Sequence, residues 1–154
     1  MKPDRATEKP RRSAYAAALA LLAGREHSKL QLSLKLAQRE YPEEEIAAAL
    51  EALLNDGYLS DERAAVAKVA SGLRRGHGPG RIRNDLREAG LGAAKQITGD
   101  DGLEIDWVEH ARALAERKFG NQPPADYNEW SKRARFLQAR GYDSDTIRKA
   151  LPRL

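Results

Sequence analysis

Apolar positions recur every three or four residues along most of the chain, the spacing that gathers them on one face of an α-helix. Ser13 opens an Ala- and Leu-rich segment with Tyr15, Leu19 and Leu22 on one side, and Gly24 stops it. Ser28 with Gln31 three residues on is a capping box for a second helix, whose inner face carries Leu32 and Leu36. That helix is predicted to run to about Tyr41, because Pro42 disfavours helix in the residue before it. Pro42 suits the first turn of a third helix carrying Ile46, Leu50, Leu53 and Leu54, which Asp56-Gly57 closes. A fourth helix starts at Ser60-Asp61 and is expected to bury Val66, Val69 and Leu73 before breaking at Gly76-His77-Gly78. Pro79 restarts helix with Ile82, Leu86 and Ala89 inward, and Gly90 ends it. A weaker helix is expected from Gly92 to Ile97, then a loop at Gly99-Asp100-Asp101-Gly102. Trp107, Ala111, Leu114 and Ala115 mark a further helix, Asn121 to Ala125 a loop, and Tyr127 to Arg140 and Asp143 to Leu151 the last two.

These breaks disclose an internal repeat. Tyr41, Leu91 and Tyr142 each close the middle helix of a triplet, and five residues before each stands a leucine: Leu36, Leu86 and Leu137. Ile46 and Ile147 then follow at +5, and Leu50 and Leu151 at +9, whereas the second copy has Gln96 and Ile97 instead. A period near 50 residues means one helical unit used three times. The expected fold is all-α: three tandem three-helix repeats stacked into an elongated, curved array. Residues 13–59, 60–102 and 103–154 would be the three repeats. Residues 1–12 mix charges with Pro3 and Pro10 and read as a disordered arm.

Composition removes several classes of function. The chain contains no cysteine, which excludes disulfides, thiolate metal sites and cysteine nucleophiles. No apolar run approaches the ~20 residues that span a bilayer, and the charged start lacks the apolar core of a signal peptide, so a soluble, cytoplasmic protein without membrane contact is expected. It is also expected to be a monomer. His27 and His77 read as isolated loop residues, and His110 has no partner at metal-ligand spacing. No cofactor, metal or catalytic constellation is expected, and hence no enzyme.

Charge adds a direction. The formal net charge is +4, and all of it falls between residues 60 and 99, where eight Lys and Arg face four acids. Arg74, Arg75, Arg81, Arg83 and Arg87 dominate this stretch, and arginine suits two-pronged contact with phosphate or carboxylate. A second group, Lys132, Arg133, Arg135 and Arg140, is interleaved with Trp130 and Phe136. That pattern would suit base stacking, although Trp130, Ala134 and Leu137 also make an ordinary core stripe. Gly76-His77-Gly78-Pro79-Gly80 is not a phosphate loop: it lacks the Gly-Lys-Ser/Thr ending, and Pro79 has no backbone donor. It reads as a helix break. Glu43-Glu44-Glu45 reads as favourable charge in a helix's first turn.

Several strings resemble the RecX family of recombinase modulators over residues 13–151. They are Arg25-Glu26-His27-Ser28 with Leu32 and Leu36, Asp56 through Arg63, Arg74 through Pro79 leading to Arg81-Ile82 and Leu86, and Phe136-Leu137 through Arg140-Gly141-Tyr142 to Ile147 and Leu151. The chain departs from the family at Ala64 and Ala65, where aromatic residues usually stand. The resemblance implies a cytoplasmic protein that binds the RecA nucleoprotein filament and lowers its ATPase and strand-exchange activity in recombination and repair. With the charge pattern, it makes Arg74, Arg75, Arg81, Arg83 and Arg87 the first candidates for partner contact, and Lys132, Arg133 and Arg140 the second. A direct DNA-binding module using the same arginines on phosphate, single- or double-stranded, is the alternative.

Overall fold

A computed structural model describes residues 11–92 and 104–153. The described residues are helical without strands: α1 (Ala14–Gly24), α2 (Lys29–Gln38), α3 (Glu43–Asn55), α4 (Asp61–Arg74), α5 (Pro79–Glu88), α6 (Trp107–Phe119), α7 (Tyr127–Ala139) and α8 (Ser144–Ala150). They form two compact units, residues 1–61 and 62–154. The expected arm falls outside the described residues except for Arg11 and Arg12, and the expected helix from Gly92 to Ile97 and the loop after it also lie outside, apart from Gly92 itself.

Local chemistry explains where helices begin. The first amides of a helix lack intrahelical acceptors, so a side-chain oxygen just ahead of them supplies one. Ser13 Oγ accepts from the Ala16 amide, Asp106 from Glu109, Asp126 from Glu129, and Asp143 from Thr146. The capping box at Ser28 is complete, each partner bonding the other's backbone at 3.0–3.1 Å. Pro42 stands one residue outside α3 as its cap, not within its first turn as the sequence suggested. The three acids behind it do occupy that turn, and Glu45 accepts from the Ala14 amide at the start of α1.

The 50-residue period has a structural meaning. The Tyr41, Leu91 and Tyr142 amides donate to the carbonyls of Leu36, Leu86 and Leu137 at 3.2, 2.9 and 3.2 Å. The intervening residue of each turn, Glu40, Gly90 or Gly141, has positive φ and donates to the carbonyl three back. This is the Schellman ending, in which two turn amides satisfy the helix's last carbonyls. The repeat in the sequence is therefore a repeated way of stopping the middle helix.

In the first unit, α1, α2 and α3 pack around Leu32, Leu36, Ile46, Leu50 and Leu53. Helix α1 turns inward Ala14, Ala17 and Ala18, while Tyr15, Leu19 and Leu22 are only half-buried at its flanks, a correction to the expected face. Apolar residues surround α1, so spacing alone offers no preferred side, and the small alanines let it approach α3 closely. Tyr41 ties down the chain before α1: its hydroxyl donates to the Arg12 carbonyl at 2.8 Å and the Arg11 guanidinium lies 3.9 Å from its ring centre.

The second unit holds two apolar clusters, one of Ala65, Val69, Ile82 and Leu86, the other of Ala111, Ala115, Leu137, Tyr142, Ile147 and Leu151. Trp107 packs against both. Val66, expected inside, is 47% exposed, because α4 buries the face of Ala65, Val69 and Gly72 instead. Ala64 and Ala65, the departures from the family pattern, are buried.

Candidate functional site

The Gly76–Gly80 segment does break one helix and start the next, but it also builds a junction that its sequence did not announce. The Gly78 amide donates to the Arg140 carbonyl at 2.6 Å and the Gly80 amide to the Gly141 carbonyl at 3.0 Å. Backbone meets backbone so closely that a Cβ at Gly78 would come 2.6 Å from the Gly141 carbonyl carbon. A Cβ at Gly141, whose φ is +100°, would lie 2.7 Å from the Arg81 nitrogen. Only glycine fits either place. The turn ending α7 thereby docks on the start of α5, and Arg140 donates from Nη1 to the Arg75 carbonyl at 3.1 Å.

This docking gathers cations from distant stretches of sequence. Arg74, Arg75 and Arg81 are exposed, Arg140 is half-buried, and the fields of Arg81, Arg140 and Arg75 all reach His77. His77 is buried within the junction, not an isolated loop residue. Burial first, then these guanidiniums, hold its pKa below 6.5, against a smaller opposing pull from Asp85. Asp85 Oδ2 stands 3.9 Å from Nδ1, too far for a hydrogen bond, and that nitrogen has no bonding partner among the described residues. None of Arg74, Arg75, Arg81, Arg83 and Arg87 has a carboxylate in ion-pair contact among the described residues.

The candidate arginines do not form one surface. At 100° per residue, Arg83 and Arg87 share a side of α5 that lies roughly 120–160° around the helix from Arg81. Arg87 is exposed and Arg83 half-buried on that flank. The junction group is therefore Arg74, Arg75, Arg81 and Arg140, with Arg83 and Arg87 apart from it.

The second cluster divides further. Lys132 is exposed, but Arg133 is 3% exposed and turned into the fold. Its Nη1 donates to the Gln122 carbonyl at 2.8 Å and its Nη2 to Glu129 at 2.6 Å, closing the loop between α6 and α7. Arg133 thus serves packing, a role that a run of surface-looking cations conceals. Trp130 and Phe136 both pack against the last cluster, and Phe119 meets Phe136 edge-on at 5.4 Å. Trp130 and Phe136 are both half-buried against that cluster, as the core reading of the stripe expects.

His27 was also misplaced by its sequence context. It is 1% exposed, with Nδ1 3.0 Å from the Arg25 carbonyl and Nε2 2.8 Å from Lys35 Nζ. The carbonyl requires a proton on Nδ1, and the ammonium donates to an unprotonated Nε2, so the ring is neutral. Burial is the main reason that its pKa lies below 6.5. Among the described residues no group of three or more His, Cys, Asp or Glu could hold a metal, and no helix is long and apolar enough to cross a membrane.

Residues 14–53 match the family described as "RecX, first three-helix domain", and residues 104–151 match "RecX, third three-helix domain". A regulatory protein RecX of Acidithiobacillus ferrooxidans is 41% identical over 136 residues, spanning 88% of this chain and 87% of its own. One of Halorhodospira halophila is 43% identical over 136 residues, or 87% and 83% of the two chains. The crystal structure of RecX from Lactobacillus salivarius has the same fold, with a TM-score of 0.68 at 23% identity over 89% of this chain and 91% of that one. With its three-helix bundles and this similarity along most of its length, the chain belongs to the RecX family of regulatory proteins.

Proposed function

We propose that this protein is a non-enzymatic cytoplasmic regulator that binds the RecA nucleoprotein filament as a monomer and lowers its ATPase and strand exchange. The observation that carries the reading is the junction group: Arg74, Arg75 and Arg81, exposed and without carboxylate partners among the described residues, beside Arg140. Exposed guanidiniums without carboxylate partners offer two-pronged contact to carboxylates of a protein surface or phosphates of its DNA. Lys132, exposed on α7, is a secondary contact, and Arg83 and Arg87 serve on a separate flank. Repeats 13–59, 60–102 and 103–154 act as the modules, and a chain laid along a filament would bridge neighbouring protomers and obstruct motions tied to ATP turnover.

The test is recombinase ATPase on single-stranded DNA, titrated with wild-type protein, with Arg74→Glu/Arg75→Glu/Arg81→Glu, and with Arg83→Glu/Arg87→Glu. The triple variant is expected to lose inhibition while keeping its helicity, and the double variant to lose less. Unchanged inhibition by the triple variant would overturn the site. A second reading, direct binding of DNA phosphate by the same exposed arginines, predicts gel shifts on naked DNA that weaken steeply with salt and ignore the recombinase.

A further inference from the structure

At the N-terminal end of α7, whose other end meets the arginine junction, α7, α8 and the segment after it line an open cleft of about 310 Å³ formed by Tyr127, Trp130, Arg148, Leu151 and Arg153. Tyr127 and Trp130, one helical turn apart, stack with ring centres 6.2 Å apart and planes inclined by 14°. Tyr127 is 66% exposed, an unusual state for an aromatic side chain that contributes nothing else to the core. Leu151 floors the cleft and is itself buried. The two charged residues on its rim are both arginines, and no acid lines it. Arg148 reaches Asp145 Oδ1 at a long 3.6 Å while Lys149 holds the other oxygen at 3.1 Å, and the Arg148 side chain is 66% exposed, an ion pair worth little that a phosphate can replace.

We infer that this cleft binds a base of single-stranded nucleic acid, with Tyr127 and Trp130 as the stacking platform and Arg148 and Arg153 on the flanking phosphates. The chemistry favours this occupant over an apolar peptide. A flat, unfinished aromatic stack is completed by another planar ring, and two guanidiniums with no lining carboxylate call for a polyanion. A peptide helix would want a longer apolar trough than one leucine and two rings provide. These residues are outside the set proposed for the filament, so the inference stands whether or not that reading does.

The experiment is fluorescence anisotropy with two labelled twelve-nucleotide probes of equal charge: oligothymidylate, and the same backbone with every base removed. Wild-type protein should bind the thymidylate roughly tenfold more tightly, the scale of one stacked base. The preference should persist as salt rises, although both affinities fall. Tyr127→Ala removes an exposed ring and should abolish the preference with unchanged helicity, while Tyr127→Phe should retain it. Arg148→Ala/Arg153→Ala should weaken both probes alike. Equal binding of the two probes by wild type, or a preference that survives Tyr127→Ala, would overturn the inference. So would polyglutamate competing as well as thymidylate, since that marks a surface for acidic protein.

Discussion

The first and last bundles end their middle helices with the same turn, yet one uses Glu40 and the other Gly141 at the left-handed position. The φ values are 65° and 100°. Glu40 is exposed, so its side chain meets only water and the turn costs little beyond the backbone's own reluctance. Gly141 has the Arg81 backbone pressed against it. Glu40 sits in the small left-handed region open to other residues, whereas Gly141 lies beyond it and has a second chain segment on the turn as well, so torsion and packing both demand glycine there. The connectors between the first two helices of these bundles differ as well. In the first, a neutral buried His27 joins Arg25 to Lys35; in the last, a buried Arg133 joins Gln122 to Glu129. Burial holds the imidazole of the first lock below its usual pKa of 6.5.

The sharpest way to break this comparison is Gly141→Ala, expected to destabilise the second unit by about 3 kcal/mol through positive φ and backbone collision together. Denaturant unfolding measures it, and hydrogen exchange should show the loss in α4 to α8 while α1 to α3 stay protected. Next is Arg133→Ala, which deletes two charge-assisted bonds and a buried side chain at a cost of about 2 kcal/mol. The same measurement should find the 120–126 loop opened. The histidines come third. Folded His27 and His77 both titrate below their unfolded value of 6.5, so the unfolded chain takes up the protons. Their contribution is whole above pH 6.5 and is lost as pH falls through that value towards the folded pKa. Denaturant midpoints measured at pH 7 and pH 5 should fall on acidification. The smallest effect is Glu40→Gly, which relieves a strained torsion but loosens the unfolded chain, for a net gain under about 1 kcal/mol by thermal melting.

Much of this fold was legible because its signals are local. Capping at Ser13, Ser28 and Asp143 and the leucine five residues before each middle-helix stop involve neighbours in sequence. What sequence reasoning missed depends on contacts with no local trace. Val66 has the spacing of a core residue and lies outside, because α4 is rotated towards small residues that admit α5: a Cβ on Gly72 would press on Ile82 at 2.6 Å. Arg133 sits among surface cations yet points inward because the 122 carbonyl, a loop away, awaits a donor. Of the candidate arginines, their abundance between 74 and 87 was plain, but their division between two sides of α5 follows only once helix phase is set by Ile82 and Leu86 facing the core. The Tyr127–Trp130 stack shows the reverse: Trp130 belongs to a core stripe, and an exposed tyrosine one turn earlier turns its edge into a platform.

The bond from Arg140 back to the carbonyl of Arg75 spans 65 residues, and the amides of Gly78 and Gly80 wait on the same late segment. A chain made from its N-terminus therefore completes these two halves on different schedules. The described apolar core of the first bundle draws only on residues up to 61 and can settle while translation continues. The start of α5 emerges next with the Gly78 and Gly80 amides still without their protein acceptors, and it reaches its final form only when the turn at 140–142 has left the ribosome.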